Sequence, residues 1–251
     1  MMKTIKTIAA ILLIVPALAF ASEGEVKLDH APIDPYDKES LQRGAHTFVN
    51  YCLNCHSASY MRYNRLQDLG LSEQQIRENL VFPEVKVGDL MKTAMDPKDA
   101  KEWFGTTPPD LTVVARSRSS HAGPGSDWLY TYLRTFYKDS TRPTGWNNVV
   151  YPNVGMPHAL WQLQGEQVLK EGKEQAEGYM RTVHVLTLDK PGRMKPVEYD
   201  RLVADLVNYM TYMSEPARDD RTTVGLYALI VISILIALSY ALKKAYWKDV
   251  H

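Results

Sequence analysis

The sequence predicts a mainly α-helical domain with long loops, tethered by one C-terminal transmembrane helix. Three observations predict it. Apolar residues recur at steps of three and four in two separated stretches, Leu41, Ala45, Phe48, Val49 and Cys52, then Val203, Leu206, Val207, Met210 and Met213. Each set lines one face of a helix. Between them, residues 105–126 and 138–159 are rich in Gly, Pro, Ser and Thr, the composition of loops. Near the end, Val224 to Leu242 carry no charge, and a helix of that length is about 28 Å long, close to the hydrocarbon thickness of a bilayer.

Composition narrows the class. The chain has 251 residues, 45% hydrophobic and 23% charged, which fits a folded globular protein and not a disordered one. Lys plus Arg and Asp plus Glu balance at 29 each, so the basic excess of a nucleic-acid binder is missing. Two Cys cannot build a disulfide-dense scaffold or a four-cysteine zinc site.

Taken in order, Lys3 and Lys6 precede an apolar run from Ile8 to Leu18, and Ala19-Phe20-Ala21 offers a small-x-small cleavage site. Residues 1–21 therefore read as a cleavable secretory signal peptide. Residues 22–37, with Pro32 and Pro35, read as an irregular leader. A helix starts at Lys38. Ser72 and Gln75 form a capping-box pattern ahead of Ile76 and Leu80, with Pro83 ending that helix. Trp128 to Tyr137 is an aromatic helix candidate, 138–159 a long loop, 164–178 a polar stretch, Arg181 to Leu188 a short strand and Val197 to Met213 a helix, broken from the anchor by Pro216. Loops this long in a compact domain usually serve a function.

The flanks of the apolar run orient it. Lys243, Lys244 and Lys248 follow it beside Tyr240, Tyr246 and Trp247, whereas Arg218, Asp219, Asp220 and Arg221 before it cancel. The positive-inside rule and the interfacial aromatics place the tail 243–251 in the cytoplasm, 224–242 in the membrane and 22–223 outside. Because residues 1–21 and the tail 243–251 hold more lysines than acids, the exported part is mildly acidic and suits a basic partner. Glu166, Glu171, Glu174 and Glu177 are the docking candidates, diluted by Lys170 and Lys173.

The chemistry concentrates at Cys52-Leu53-Asn54-Cys55-His56. C-x-x-C-H is the pattern of covalent c-type haem attachment. Two thiols three residues apart on one helical turn can each form a thioether to a haem vinyl group, and the next residue brings its imidazole to the iron. Export fits, because this attachment takes place outside the bacterial cytoplasm. A thiol–disulfide pair would need a thioredoxin-like βαβ context that the sequence lacks, and half a zinc site would need a second half.

An electron carrier needs a second axial ligand, Met or His, and Met raises the reduction potential. Past the signal region the methionines are Met61, Met91, Met95, Met156, Met180, Met194, Met210 and Met213. Met61 is too near the attachment site in sequence to cross to the other haem face, and Met210 and Met213 pattern as core. Met156 leads, in Asn153-Val154-Gly155-Met156-Pro157 between Pro152 and Pro157. His158 is its rival.

With these residues together, the chain resembles the cytochrome c1 family, the membrane-anchored haem subunits of cytochrome bc1 complexes. The resemblance lies in Leu41-Gln42-Arg43-Gly44-Ala45 followed by Tyr51-Cys52-Leu53-Asn54-Cys55-His56-Ser57, in Thr107-Pro108-Pro109-Asp110-Leu111, in Gly155-Met156-Pro157 and in Ser214-Glu215-Pro216 with Arg218 and Arg221. It runs from about residue 30 to the end. It implies a cytochrome c-like haem domain with long loops and one covalent haem c, bound by Cys52, Cys55, His56 and Met156, the last two on the iron. The Pro109 carbonyl would accept from the other nitrogen of His56, fixing the ring. Arg118, with Arg116 as the alternative, would face a haem propionate. The implied partners are cytochrome b, the Rieske iron–sulfur protein and a c-type cytochrome acceptor, with the membrane and without nucleic acid. The chain itself would carry electrons and do no substrate chemistry. The alternative function is an anchored monohaem cytochrome of another respiratory oxidase or reductase, many of which carry their anchor at the N-terminus.

Overall fold

The computed structural model describes residues 27–248, apart from Pro83 and residues 177–178. The expected signal peptide, 1–21, lies outside the described residues, as do the last three of the expected tail.

Two helices in close contact at Gly44 build the centre. Helix α1, Lys38–Thr47, is capped by the Asp37 carboxylate, which accepts from the Ser40 amide at 3.0 Å. It continues through a π-helical turn, Phe48–Cys52. The later helix Pro196–Ser214 packs its buried Val203, Leu206, Val207 and Tyr209 onto the first. At the crossing, a Cβ on Gly44 would lie 2.1 Å from the Asp205 carbonyl oxygen and 2.7 Å from Tyr209 Cβ, so any larger residue forces the helices apart. Arg43 closes the contact with a two-pronged bond to Asp205 at 2.7 and 3.1 Å.

Everything the site needs hangs between these two helices. After the π-helical turn come β1, Ala58–Arg62, paired antiparallel with β2, Leu90–Met91. Between them lie a 3-10 segment, Tyr63–Leu69, and α2, Glu73–Asn79. The Ser72–Gln75 capping box forms as the sequence predicts. The helix ends at Asn79, and Pro83 lies outside the described residues. Then follow α3, Pro97–Phe104, a single turn α4, Val114–Ser117, and α5, Gly125–Arg134.

Here the structure corrects the sequence reading. The aromatic helix stops at Arg134, not Tyr137, because Phe136–Lys138 pairs as strand β3 with β4, Trp146–Asn148, inside the expected long loop. Phe136 is fully buried, and the strand turns it inward, overriding helical pattern. A short turn, α6, Trp161–Gln164, leads to a hairpin of β5, Gly165–Ala176, and β6, Tyr179–Pro191. The short strand expected over 181–188 is the middle of β6. Its partner was hidden by the charges and glycines of 164–178, which obscure alternation. The helix Pro196–Ser214, here α7, matches the expected 197–213 nearly residue for residue.

After Glu215 and Pro216 the chain restarts as α8, Arg218–Tyr246. Within it, Asp220–Tyr246 is the one helix among the described residues long and apolar enough to cross a membrane, and none of its most apolar stretch is buried by the rest of the chain. The helix overruns the expected span 224–242 at both ends, since propensity continues where hydrophobicity stops. The fold is mainly helical, with one C-terminal apolar helix, as the sequence predicts.

Candidate haem-binding site

The first wall is the end of α1. The Cys52 carbonyl oxygen accepts from the amides of Cys55, at 3.1 Å, and His56, at 2.8 Å. This turn folds the motif back on itself and brings both cysteines and the histidine to one helix end. Both thiols are free. Burial, with the neighbouring Cys55, pushes the Cys52 thiol up to about 12, and burial raises Cys55 too. A thiol–disulfide catalyst needs the opposite, a thiolate stabilised by its surroundings. The described residues hold no cluster of three or more His, Cys, Asp or Glu able to bind a metal.

His56 is 9% exposed. Its Nδ1 lies 2.7 Å from the Pro109 carbonyl oxygen. A carbonyl only accepts, so Nδ1 carries the proton and Nε2 keeps its lone pair. Burial lowers the pKa of the ring, outweighing the Pro109 carbonyl and the Asp110 charge. A neutral imidazole with a fixed tautomer and a free Nε2 is the form that ligates a metal.

The loop that carries Pro109 is zipped onto the chain just after His56. Leu111 N donates to Ser57 O at 2.8 Å, and Ser59 N to Asp110 Oδ2 at 2.7 Å. Tyr60 N donates to Thr112 Oγ1 at 3.3 Å. Thr112 donates to Asp110 Oδ1 from its amide, at 2.8 Å, and its hydroxyl, at 2.5 Å. Partial burial works to raise the Asp110 pKa, but the bonds from Thr112 and Ser59 prevail and hold it below the ordinary carboxylate value. Behind the loop, the Ser214 hydroxyl at the end of α7 accepts from Ala115 N at 3.2 Å and reaches Thr112 O at 3.2 Å. The Ser214-Glu215-Pro216 stretch thus braces the wall that orients His56.

The second wall is the loop around Met156, which is half-buried. The Tyr132 hydroxyl donates to Met156 Sδ at 3.3 Å. Tyr132 stacks on Trp128 with ring centroids 4.7 Å apart and planes at 13°, and meets Phe136 edge-on at 5.0 Å. Two adjacent amides hold the loop backbone. Asn148 Oδ1 accepts from Val150 N at 2.9 Å and Tyr151 N at 3.1 Å, while its Nδ2 donates to Tyr132 O at 2.8 Å. Asn147 Oδ1 accepts from Asn153 N at 2.8 Å. Asn153 itself sits at φ 63°, a left-handed conformation that Asn tolerates better than most residues, and Arg142 donates to its carbonyl at 2.9 Å.

His158, the rival ligand, turns into the core. It is 2% exposed, stacks on Phe136 at 4.8 Å with planes at 1°, and meets the edge of Trp146 at 5.1 Å. Gln164 Nε2 donates to Arg134 O at 2.9 Å, so its Oε1 accepts from His158 Nε2 at 2.7 Å. Burial pulls the His158 pKa down to about 4, so the ring is a neutral packing group. Met61, Met91, Met210 and Met213 are buried in the core; the side chain of Met180 lies outside the described residues.

Arg118 lies on the second wall. Its guanidinium covers the face of Trp128 at 4.5 Å and approaches Tyr151 at 5.6 Å, while Arg116 is exposed. Sequence reasoning missed Tyr132, Trp128, Asn147 and Asn148. Their one signal was an aromatic cluster read only as a helix face and a pair of amides in a Gly- and Pro-rich loop. Of the docking acids, Glu166 is tied to Lys190 at 2.9 Å and Lys138 at 3.8 Å. The side chains of Glu171, Glu174 and Glu177 lie outside the described residues.

A family profile described as Cytochrome C1 family matches residues 29–250. The chain is 48% identical over 245 residues to cytochrome c1 of Allochromatium vinosum, covering 97% of this chain and 98% of that one. It is 50% identical over 250 residues to a Nitrosomonas europaea protein named ammonia monooxygenase gamma subunit, covering 100% of both. Cytochrome c1 of Rhodospirillum rubrum is 27% identical, over 96% of this chain and 95% of its own. Proteins of this family carry one covalently attached haem c. A helix end with two neutral thiols and a metal-ready imidazole, the family match over most of the chain and the apolar C-terminal helix converge: the chain belongs to the cytochrome c1 family, the membrane-anchored, electron-transferring haem subunits of cytochrome bc1 complexes.

Proposed function

We propose that Cys52 and Cys55 form the two thioethers to the haem, and that His56 Nε2 and Met156 Sδ are its axial ligands. The observation that carries this is the bond from His56 Nδ1 to the Pro109 carbonyl at 2.7 Å, which leaves Nε2 free and aimed away from that loop. When bound, the haem supplies a one-electron couple at its iron. The chain's own residues set its conditions. Pro109 fixes the His56 tautomer and strengthens its donation. The core packed against Cys52 lowers the local dielectric, and Met156 favours the reduced metal. Arg118 offers a propionate the free edge of its guanidinium while its face rests on Trp128, a division of labour that a planar cation allows.

Within the bc1 complex, cytochrome b is the partner in the membrane. The Rieske iron–sulfur protein is the donor and a c-type cytochrome the acceptor in this reading. Residues 1–21 are removed as a signal, 22–223 form the haem domain in the periplasm, 224–242 anchor it in the cytoplasmic membrane and 243–251 stay inside. Lys243, Lys244 and Lys248 after the apolar run support this orientation. A second reading comes from the name of the Nitrosomonas relative, namely electron delivery to an oxygenase.

A pyridine haemochrome spectrum of purified membranes, with the mass of the isolated chain, tests the attachment. One haem per chain is expected, and a mass equal to the bare mature polypeptide would refute it. Copurification with a dihaem cytochrome b supports the bc1 placement, whereas copurification with an oxygenase favours the second reading. Protease cleavage of the haem domain in spheroplasts, with protection in inverted vesicles, tests the orientation.

A further inference from the structure

The bond between Tyr132 and Met156 carries an inference beyond the ligand set. We propose that Tyr132 is a positioning and tuning residue for the methionine ligand, its hydroxyl holding one side of the Met156 sulfur so that the opposite side is presented to the iron. This rests on Met156 as the axial ligand, and reaches past it to what sets that ligand's strength.

The geometry is specific. Tyr132 is buried, 8% exposed, on the inner face of α5. Its ring is clamped by Trp128 on one face and the edge contact with Phe136, so the hydroxyl has little freedom to search for another partner. Among the described residues its bond is to Met156 Sδ, at 3.3 Å. A buried hydroxyl without a partner is costly, and the contact is therefore held from the tyrosine side as well as from the loop. The clamp extends outward: Arg118 covers the Trp128 ring at 4.5 Å, so guanidinium, indole and phenol form one stack ending at the sulfur. The Tyr132 carbonyl also accepts from Asn148 Nδ2 at 2.8 Å, so the same residue that touches the sulfur also ties down the loop carrying it.

The chemical consequence follows from the thioether. Sulfur has two lone pairs and is a weak acceptor. A hydrogen bond to one pair withdraws charge from the sulfur and weakens its donation to the metal through the other. An oxidised iron needs that donation more than a reduced one, so the bond favours the reduced state and raises the potential. No proton leaves the phenol; the effect is electrostatic.

Redox titration of the full-length, haem-loaded chain in detergent tests this. Tyr132→Phe removes the hydroxyl and keeps the ring. The methionine-to-iron charge-transfer band of the oxidised protein should persist, with a shifted maximum. The midpoint potential should fall by up to roughly a tenfold change in the one-electron constant, about 59 mV. Site-specific 3-fluorotyrosine at position 132 makes a stronger donor of the same shape, and should raise the potential. Opposite signs for the two replacements are not expected from a packing role. Potentials unchanged in both, or shifted the same way, overturn the proposal. The ligand reading has its own arm: a band that survives in Met156→Leu overturns Met156 as ligand, whatever Tyr132 does.

Discussion

The two walls of the site are built from different materials. The His56 wall is a ladder of strong hydrogen bonds. Asp110 gathers three donors, Ser57 and Leu111 pair through the backbone, and the Pro109 carbonyl reaches the imidazole at 2.7 Å. The Met156 wall is packing and amides. Its one bond to the proposed ligand is a hydroxyl on sulfur at 3.3 Å, and the loop is shaped by Asn147, Asn148 and an aromatic stack. The difference follows from the two proposed ligands. An imidazole has a second nitrogen, so a full-strength bond can orient it without touching the metal-facing atom. A thioether offers only a soft sulfur and a flexible chain, so the one weak bond it accepts must be backed by the shape around it. A rigid ligand is oriented by a strong bond, a pliable one by a weak bond set in a mould.

The largest effect breaks the asymmetry outright. Met156→His replaces the soft ligand by a second imidazole. The midpoint potential should drop strongly, within the ~0.8 V that the whole range of axial ligation spans, and the methionine charge-transfer band should vanish; redox titration and near-infrared absorption read both. Next, Asn148→Ala breaks the mould while leaving both ligands in place. Asn148 is fully buried, and its loss strands the amides of Val150 and Tyr151. Denaturant unfolding should register about 2–3 kcal/mol, with the band weakened and His56 ligation intact. Asp110→Asn should cost less, about 1–2 kcal/mol, because the carboxylate is partly solvated.

Acid sharpens the same contrast. The folded-state pKa of Asp110 lies below its ordinary 3.8. The ionised group therefore contributes stability that is fully present above the unfolded value and is lost as pH falls through the folded one. Below about pH 4, the His56 wall should loosen, seen as a step in the Soret band of the wild type that is reduced in Asp110→Asn. The Tyr132–Met156 contact has no carboxylate and contributes nothing to that step.

The His56 wall was legible in the sequence, and the Met156 wall was only half legible. Cys52, Cys55 and His56 announce themselves because their spacing is the chemistry. The Thr107-Pro108-Pro109-Asp110-Leu111 segment announced its role through family resemblance, and the bond at 2.7 Å lies where that resemblance implied. Gly44 needed the structure to reveal why it is glycine, since helix crossings are a property of two distant stretches. The mould around Met156 left little trace for the same reason. Phe136 and Trp146 meet His158 only after β3 and β4 pair, and no local periodicity encodes that meeting. His158 and Met156 are two residues apart in a loop, with Met156 leading on its place between two prolines, and the rival drops out once its ring is seen to donate its Nε2 proton to Gln164. The β5–β6 hairpin was lost because charge hid its alternation, and its base turns out to serve the mould: Gln167 Nε2 donates to the carbonyls of Arg134 and Phe136 at 2.9 Å each.

The smallest expected effect lies at that hairpin base. The sequence offers Glu166 as an acid for docking a basic cytochrome. In the fold its carboxylate is bound to Lys190 and Lys138, and Lys138 in turn lies 4.3 Å over the Trp146 ring. A charge already matched by two cations adds little to a long-range field, and what remains is screened over about 10 Å at 0.1 M salt. Glu166→Gln should therefore change the rate of electron transfer to a basic cytochrome by less than about twofold at low ionic strength, in stopped-flow measurements across a salt series. A steep loss of rate confined to low salt would show that Glu166 faces the partner after all, and would move the acidic docking surface to the hairpin base beside the Met156 wall. A flat response leaves that residue as part of the mould, where its work is to keep Lys138 over the indole that backs His158.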